Sequence, residues 1–210
     1  MTKQEIESNT DTVTPKVGVK RKTAGGSSYF NRGESARRQG RIRDAIAAYR
    51  LAVKCAPDNA YYRYRLSESC AVVGEVNAAL EEMQAACRLQ PVDGFYQFLL
   101  GDLYSRAGLF PSAITAMHSA ISLSPCDSYY TVRLGMLYLQ TSLLSEAAEA
   151  LRQAVQLSPD NASYQALLGD AYVRLGFERE ALVHYRNAGK LDPYDAQLVN
   201  RMRRLVPVET

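Results

Sequence analysis

The sequence predicts an all-α fold of tandem helix pairs, because prolines and small residues recur at one constant spacing. One proline closes each period, and no insertion or deletion interrupts the series of Pro57, Pro91, Pro125, Pro159 and Pro193. An alanine stands twelve residues before each proline, and another stands five residues before it. Glycine or serine stands seventeen and twenty-four residues before it. A period of about 34 residues is typical of helix–turn–helix units that stack on one another.

Each recurring residue has a place in the predicted helix pair. The earlier glycine or serine and the two alanines allow two helices to approach closely. The later glycine falls where the first helix must end and the chain reverse. The proline follows the second helix, which it cannot continue. Aspartates next to or near four of the prolines are candidate N-caps for the helix that follows: Asp58, Asp93, Asp127 and Asp160.

The complete pattern resembles the tetratricopeptide repeat. The family's signature stands almost whole near the end of the chain, at Leu168, Gly169, Tyr172, Gly176, Ala181, Tyr185, Ala188 and Pro193. Ser67 and Ser142 replace glycines of the pattern in two of the units. The resemblance implies an α-solenoid, a right-handed superhelix of antiparallel helix pairs with a concave groove.

The resemblance covers five consecutive units. Their bounds are 26–59, 60–93, 94–127, 128–161 and 162–195. Residues 1–25 have no apolar periodicity, so we expect a tail that is disordered or held by a partner. Residues 196–210 should form a capping helix and a short tail, because a terminal repeat needs a cover. The apolar residues of this cap stand at helical spacing: Leu198, Val199, Met202 and Leu205.

Composition limits the classes of protein to consider. The four cysteines, at 55, 70, 87 and 126, lack the short paired spacing of a zinc or redox site. We expect them to be reduced packing residues in a cytoplasmic or other reducing compartment. The first residues lack the apolar core of a signal peptide, and no apolar run approaches transmembrane length.

No catalytic pattern is present in the sequence. His118 and His184 belong to different predicted repeats and have no acid at triad or metal spacing. The run from Gly18 to Thr23 lacks the glycine before lysine that a phosphate-binding loop requires. We therefore expect a protein that is not an enzyme and that needs neither cofactor nor metal.

The basic residues leave a second function open. The formal net charge is only +3, which alone makes nucleic acid an unlikely partner, but the two ends of the chain are basic. A short cluster, Lys20 to Lys22, precedes the first unit. Four arginines crowd the first predicted turn: Arg37, Arg38, Arg41 and Arg43. A nucleic-acid-associated factor that uses its basic ends is therefore an alternative, with a solvated end repeat as the simpler interpretation.

The resemblance also implies a peptide-binding groove lined by the first helix of each pair. The corresponding residues of this chain are Phe30, Glu34, Tyr61, Tyr64, Arg65, Glu68, Phe95, Phe98, Asp102, Tyr129, Arg133 and Asp170. Aromatic residues form one row and acidic residues the next. This pattern favours a peptide or helix with apolar anchors and nearby basic residues.

The groove residues exclude one known subclass of the family. Members that bind chaperones hold a C-terminal carboxylate with lysine, asparagine and arginine. Here those places carry Phe30, Glu34, Arg65, Phe95 and Leu99. We therefore predict a non-catalytic protein-interaction scaffold or assembly factor that binds a partner segment in its groove. A permanent structural subunit of a large complex, anchored by its N-terminal tail, is a further alternative.

Overall fold

The computed structural model describes residues 18–205, and the side chains of residues 25–205. Within that range every regular element is an α-helix, which confirms the predicted all-α fold. The chain forms two compact units, Met1–Asp58 and Asn59–Thr210. The first contains α1 (Gly18–Arg38) and α2 (Ile42–Cys55). The second contains α3 (Ala60–Val72), α4 (Val76–Leu89), α5 (Gly94–Arg106), α6 (Phe110–Leu123), α7 (Ser128–Gln140), α8 (Leu144–Leu157), α9 (Ala162–Leu175), α10 (Glu178–Leu191) and α11 (Ala196–Leu205).

The first helix of each pair in the second unit begins after a residue whose side chain caps it. These residues stand at the same place in successive repeats and are Asn59, Asp93, Asp127 and Asn161. Each side-chain oxygen accepts a backbone N–H of the first turn at 2.9–3.2 Å. The expected caps Asp58 and Asp160 are wrong by one residue. The cap must directly precede the helix, and an asparagine oxygen accepts this bond as well as a carboxylate does.

The turn inside each pair requires one residue with positive φ. Four of these residues are glycines, with φ between 73° and 83°. Ser142, at the corresponding place between α7 and α8, has a φ of 61° and is the only non-glycine residue with positive φ among the described residues. A β-carbon is strained in this conformation, so the α7–α8 turn is less favourable than the others.

The two helices of a pair are in close contact at one small residue. A β-carbon on Gly135 of α7 would lie 2.7 Å from Cγ of Leu151 on α8. A β-carbon on Gly169 of α9 would lie 2.5 Å from a ring carbon of Tyr185 on α10. Ser67 takes the place of this glycine in α3, where its hydroxyl donates a hydrogen bond to the carbonyl oxygen of Ala79 on α4 at 2.6 Å. The recurring small residues therefore mark the place where the two helices of a pair are in closest contact.

Successive pairs in the second unit are also joined by recurring side-chain hydrogen bonds. Gln84 Nε2 of α4 donates to the hydroxyl of Tyr104 on α5 at 2.8 Å. One period later, Nε2 of His118 on α6 lies 2.9 Å from the hydroxyl of Tyr138 on α7. These two contacts join a second helix to the first helix of the following pair. His118 thus has a structural contact, although its side chain is exposed.

In the first unit, α1 begins at Gly18, inside the segment that the sequence analysis assigns to a tail. Gly26 is buried, and a β-carbon there would lie 3.4 Å from Cβ of Cys55 and 3.6 Å from the carbonyl oxygen of Ala52. Glycine at this place therefore allows α1 to lie close to α2. Residues 1–17 of the expected tail lie outside the described residues.

Helix α11 covers the apolar side of the last helix pair. Leu198 is 3% exposed and packs with Ala181, Tyr185 and Ala188 of α10. Met202 and Leu205 pack against the same cluster. The expectation that Val199 belongs to this contact is wrong. It is 42% exposed, because the next residue along a helix points about 100° away from Leu198.

The strained turn gives the first testable prediction. Ser142→Gly should raise the free energy of unfolding by about 0.5–1 kcal/mol, because glycine adopts positive φ without the clash of a β-carbon. Gly108→Ser makes the reverse exchange at a φ of 74° and should lower it by a similar amount. Urea unfolding followed by circular dichroism measures both. Changes of the same sign in the two variants would contradict the account of this turn.

The cap gives the second prediction. Leu198→Ala should destabilise the last helix pair by about 2–3 kcal/mol, because it leaves a cavity in a buried cluster. Val199→Ala is the matched control on the exposed side of the same helix and should change stability by less than about 0.5 kcal/mol. Hydrogen exchange of the amides in α9, α10 and α11 locates the effect. Equal losses in the two variants would show that α11 does not pack as described.

Candidate functional site

Three aromatic side chains are exposed at the starts of α3, α5 and α7. Tyr61 is 48% exposed, Phe95 is 41% exposed and Tyr129 is 49% exposed. They stand one repeat apart, so each takes the same place in its helix. We call these three residues the ring row. Exposed rings at equivalent places on three helices of one unit offer a partner a repeated apolar surface.

Partly or fully buried rings lie against the ring row. Tyr64 is half-buried, and its ring centroid lies 5.8 Å from that of Tyr61 and 5.7 Å from that of Phe95. Burial, with the nearby charge of Glu68, raises the pKa of the Tyr64 hydroxyl. The hydroxyl therefore stays protonated at neutral pH. These contacts hold the ring of Phe95 in place from the α3 side.

Phe98 does not belong to the exposed surface. It is 8% exposed, and its ring stacks on Tyr130 with a centroid distance of 4.9 Å and an angle of 14°. Its other ring neighbour is Tyr129, at 5.3 Å. The sequence-based assignment of Phe98 as a residue that contacts a ligand is therefore wrong. Its side chain fills the space between α5 and α7, where it supports Tyr129.

The acidic residues of the predicted groove are all in ion pairs. In the second unit, Glu68 pairs with Arg65 at 2.5 Å, and Asp102 of α5 pairs with Arg133 of α7. Asp170 pairs with Arg201 of α11 and also accepts the hydroxyl of Tyr185, as described below. The acidic row predicted beside the rings is therefore paired with arginines in the structure, and a contact of these acids with a ligand stays a prediction. Sequence spacing placed these acids correctly along their helices but did not reveal their partners.

The two arginines of the predicted groove, Arg65 and Arg133, make contacts within the protein. Arg65 is buried, and its guanidinium carbon lies 5.8 Å from the ring centroid of Tyr64, within the range of a cation–π contact. Arg133 joins α7 to α5 through Asp102. Both side chains therefore stabilise the arrangement of the first helices.

Asp170 of α9 is bonded to side chains on two other helices. Its Oδ1 accepts the hydroxyl of Tyr185 on α10 at 2.7 Å, and its Oδ2 lies 3.0 Å from Nη1 of Arg201 on α11. Burial, followed by the bond to Asp170, raises the pKa of the Tyr185 hydroxyl strongly, so this hydroxyl remains a donor. The carboxylate thereby ties α9 to its partner helix and to the cap.

The first unit contains the same kind of bond between a tyrosine of the second helix and an acid of the first helix. The hydroxyl of Tyr49 on α2 donates to Oε1 of Glu34 on α1 at 2.5 Å, and Oε2 of Glu34 lies 3.1 Å from Nη2 of Arg37. Phe30 is half-buried, with its ring centroid 5.6 Å from that of Tyr49. Glu34 and Phe30 therefore have contacts within their own helix pair.

The arginine cluster of the first turn is partly neutralised. Arg37 pairs with Glu34, and Arg41 Nη1 lies 3.3 Å from Oδ2 of Asp44. Arg38 and Arg43 are exposed. Two of the four charges are thus balanced locally, which favours the interpretation of this cluster as the solvated end of a helix pair.

The cysteines, histidines and acids of the described residues bear on the prediction that the chain is not an enzyme. Among these residues, no group of three or more histidine, cysteine or acidic side chains could hold a metal ion. Burial raises the pKa of the Cys87 thiol to about 11, so it is not a thiolate nucleophile at neutral pH. His184 stacks on Tyr172 at 5.4 Å, and burial, with the charge of Arg152, lowers its pKa. None of the described helices is long and apolar enough to cross a membrane.

Sequence reasoning missed a basic cavity between α7, α9, α10 and α11. Its volume is about 430 Å³, and it is lined by Arg174, Arg201 and Arg204 together with apolar side chains. Arg174 lies in α9, whereas Arg201 and Arg204 lie in α11, so only the folded chain brings the three together. The sequence contained one sign of this cavity, because Arg174 stands where the preceding repeat has the uncharged Gln140.

Comparison with solved structures identifies relatives of the same fold. The chain is similar to MamA protein, with 23% identity, a TM-score of 0.73 and coverage of 82% of this chain and 94% of that one. It is also similar to YrrB, described as a TPR protein with an unusual peptide-binding site, with 18% identity, a TM-score of 0.70 and coverage of 89% and 95%. A third relative is TTC0263, a thermophilic TPR protein in Thermus thermophilus, with 22% identity, a TM-score of 0.57 and coverage of 86% and 98%.

Family models of the tetratricopeptide repeat agree with the structural likeness. A search of curated protein sequences found no significant match to the chain. Two family models do match: a tetratricopeptide repeat model over residues 30–94 and a TPR repeat model over residues 135–176. Together they cover about half of the chain and lie on the same recurring residues that predicted the helix pairs. The chain therefore belongs to the tetratricopeptide-repeat family.

Proposed function

We propose that this chain is a non-catalytic scaffold that holds an apolar segment of a partner protein on the ring row. Proteins of the tetratricopeptide-repeat family are in general scaffolds for protein interaction. The observation that carries the proposal is the exposure of Tyr61, Phe95 and Tyr129 at the same place in three successive first helices. Large rings in contact with water are the side chains that contribute most when an interface covers them.

The support beneath the ring row favours binding without rearrangement. The ring of Tyr64 lies 5.7 Å from that of Phe95, and the ring of Phe98 lies 5.3 Å from that of Tyr129. Ion pairs of Glu68 with Arg65 and of Asp102 with Arg133 lie farther along the same helices. A surface held in this way loses little side-chain freedom on binding, which lowers the entropic cost of the complex.

The chemistry of the surface favours apolar anchors in the partner. Because the neighbouring acids already have arginine partners, basic residues of a bound segment would contribute mainly by weak, salt-dependent attraction. The rings would supply most of the affinity through burial. The description of the similar protein YrrB mentions a peptide-binding site, which agrees with a peptide segment as the ligand here.

Affinity capture with three forms of the full chain tests this proposal. The forms are wild type, the triple variant Tyr61→Ala, Phe95→Ala, Tyr129→Ala, and the control Tyr194→Ala, whose ring is 94% exposed but lies between α10 and α11. The proposal expects at least one protein that wild type and control retain equally and the triple variant loses. Isothermal titration with the identified segment should then give a loss of about 2 kcal/mol or more, roughly 30-fold in Kd, for Phe95→Ala alone.

Circular dichroism and thermal unfolding of each variant serve as the folding control. The three rings are exposed, so their truncation should leave the helix content unchanged. A partner that binds the folded triple variant as tightly as wild type would show that the ring row is not its site. Equal weakening by Tyr194→Ala would likewise contradict the proposal, because that ring is outside the row.

A further inference from the structure

We infer that the cavity between the last helix pair and α11 binds an acidic segment of a partner protein, with two carboxylates on either side of an aliphatic side chain. We call this cavity the α11 pocket. Its volume of about 430 Å³ lies in the range that accommodates several ligand groups. Arg174 of α9 and Arg201 and Arg204 of α11 line it.

The charges in the α11 pocket are not balanced. Arg201 is paired with Asp170, whose other oxygen accepts the Tyr185 hydroxyl. Among residues 25–205, neither Arg174 nor Arg204 takes part in an ion pair. Three guanidinium groups therefore face one carboxylate, and the lining carries a net charge of +2.

Arg174 is held in position by neutral acceptors. Its Nη1 donates to the carbonyl oxygen of Leu139 at 2.6 Å, and its Nη2 lies 3.4 Å from the hydroxyl of Ser142. These bonds orient the guanidinium without cancelling its charge. Arg204 lines the same cavity from α11, and this residue is exposed. An oriented guanidinium beside an exposed one suits carboxylates, which accept two parallel hydrogen bonds from an arginine.

Apolar side chains form the rest of the wall. Leu139 of α7, Val173 of α9 and Leu205 of α11 line the α11 pocket together with the arginines. A purely polar ligand such as a free anion would leave these side chains without a contact. Two unpaired cations next to an aliphatic wall fit a segment in which acidic residues flank a leucine or a similar residue. This arrangement selects an acidic protein segment over a single terminal carboxylate.

A neighbouring cavity provides an internal comparison. A cavity of about 280 Å³ is lined by Ser105 and Gln140, which stand one repeat before Leu139 and Arg174. The arginine that lines it, Arg133, is paired with Asp102. The smaller cavity therefore has no unpaired cation in its lining. The excess positive charge belongs to the last helix pair and its cap.

The α11 pocket is separate from the ring row. The rings stand at the starts of α3, α5 and α7, whereas the unpaired arginines stand in the last turns of α9 and α11. Substitution of the arginines therefore leaves the rings unchanged, and the two proposals fail independently.

Titration of the full chain with two small peptides tests the inference. The probe is the N-acetylated, C-amidated tripeptide of glutamate, leucine and glutamate, and its neutral twin has glutamine in place of each glutamate. Nuclear magnetic resonance of the arginine side-chain N–H groups should show saturable binding of the acidic probe at Arg174 and Arg204. The combined variant Arg174→Gln, Arg204→Gln should raise Kd by about tenfold or more, since it removes both charged partners.

Arg106→Gln is the matched control. Arg106 takes the place in α5 that Arg174 takes in α9, and glutamine already stands at the corresponding place in α7 as Gln140. This variant should keep the wild-type Kd. Arg204→Gln alone should also weaken binding, and since Arg204 makes no described hydrogen bond or ion pair, this substitution removes its charge without breaking such a contact within the fold. Absence of saturable binding to wild type, equal binding of the neutral twin, or an unchanged Kd in the combined variant would overturn the inference.

Discussion

Leu151 lies so close beneath α7 that a β-carbon on Gly135 would stand 2.7 Å from its Cγ. This close approach between the two helices of a pair is the contact on which the other features of the fold depend. It fixes how far apart the helices lie, and the alanines at Ala147 and Ala154 are fully buried on the same side of α8. Because the approach recurs once in each repeat, equivalent residues of successive first helices fall in one row. The ring row is a consequence of that repetition.

The residue beneath the small position also affects the contacts of the neighbouring acid. Where it is a tyrosine, as at Tyr185, the hydroxyl reaches past Gly169 to Asp170 and fixes the carboxylate. Where it is Met117, no hydroxyl is available, and Asp102 is joined to the next first helix through Arg133. Asp170 forms the corresponding ion pair with Arg201 of α11, so a tyrosine at this packing position adds a bond within the pair and does not replace the bond to the next helix.

Sequence reasoning predicted the helices well because their signals are periodic. The spacing of prolines, glycines and alanines reflects contacts that every pair makes, so it gave the fold and the places of Tyr61, Phe95 and Tyr129. It failed where neighbours decide the outcome. Phe98 has the same helical place as Tyr64, but its ring stacks on Tyr130 and is buried. The partners of Asp102 and Asp170 lie 31 residues away, a distance that the local pattern does not reveal.

A double-mutant cycle on Gly135 and Leu151 tests the close approach most directly. In the wild-type background, Gly135→Ala should lower the free energy of unfolding by about 1–3 kcal/mol, because the new methyl group overpacks the contact with Leu151. In a Leu151→Ala background the space is free, and alanine is the better helix former, so the same change should raise stability by up to about 1 kcal/mol. Urea unfolding of the four proteins gives the coupling energy. A change of sign between the two backgrounds is the result that the account predicts, and additive effects of the two substitutions would contradict it.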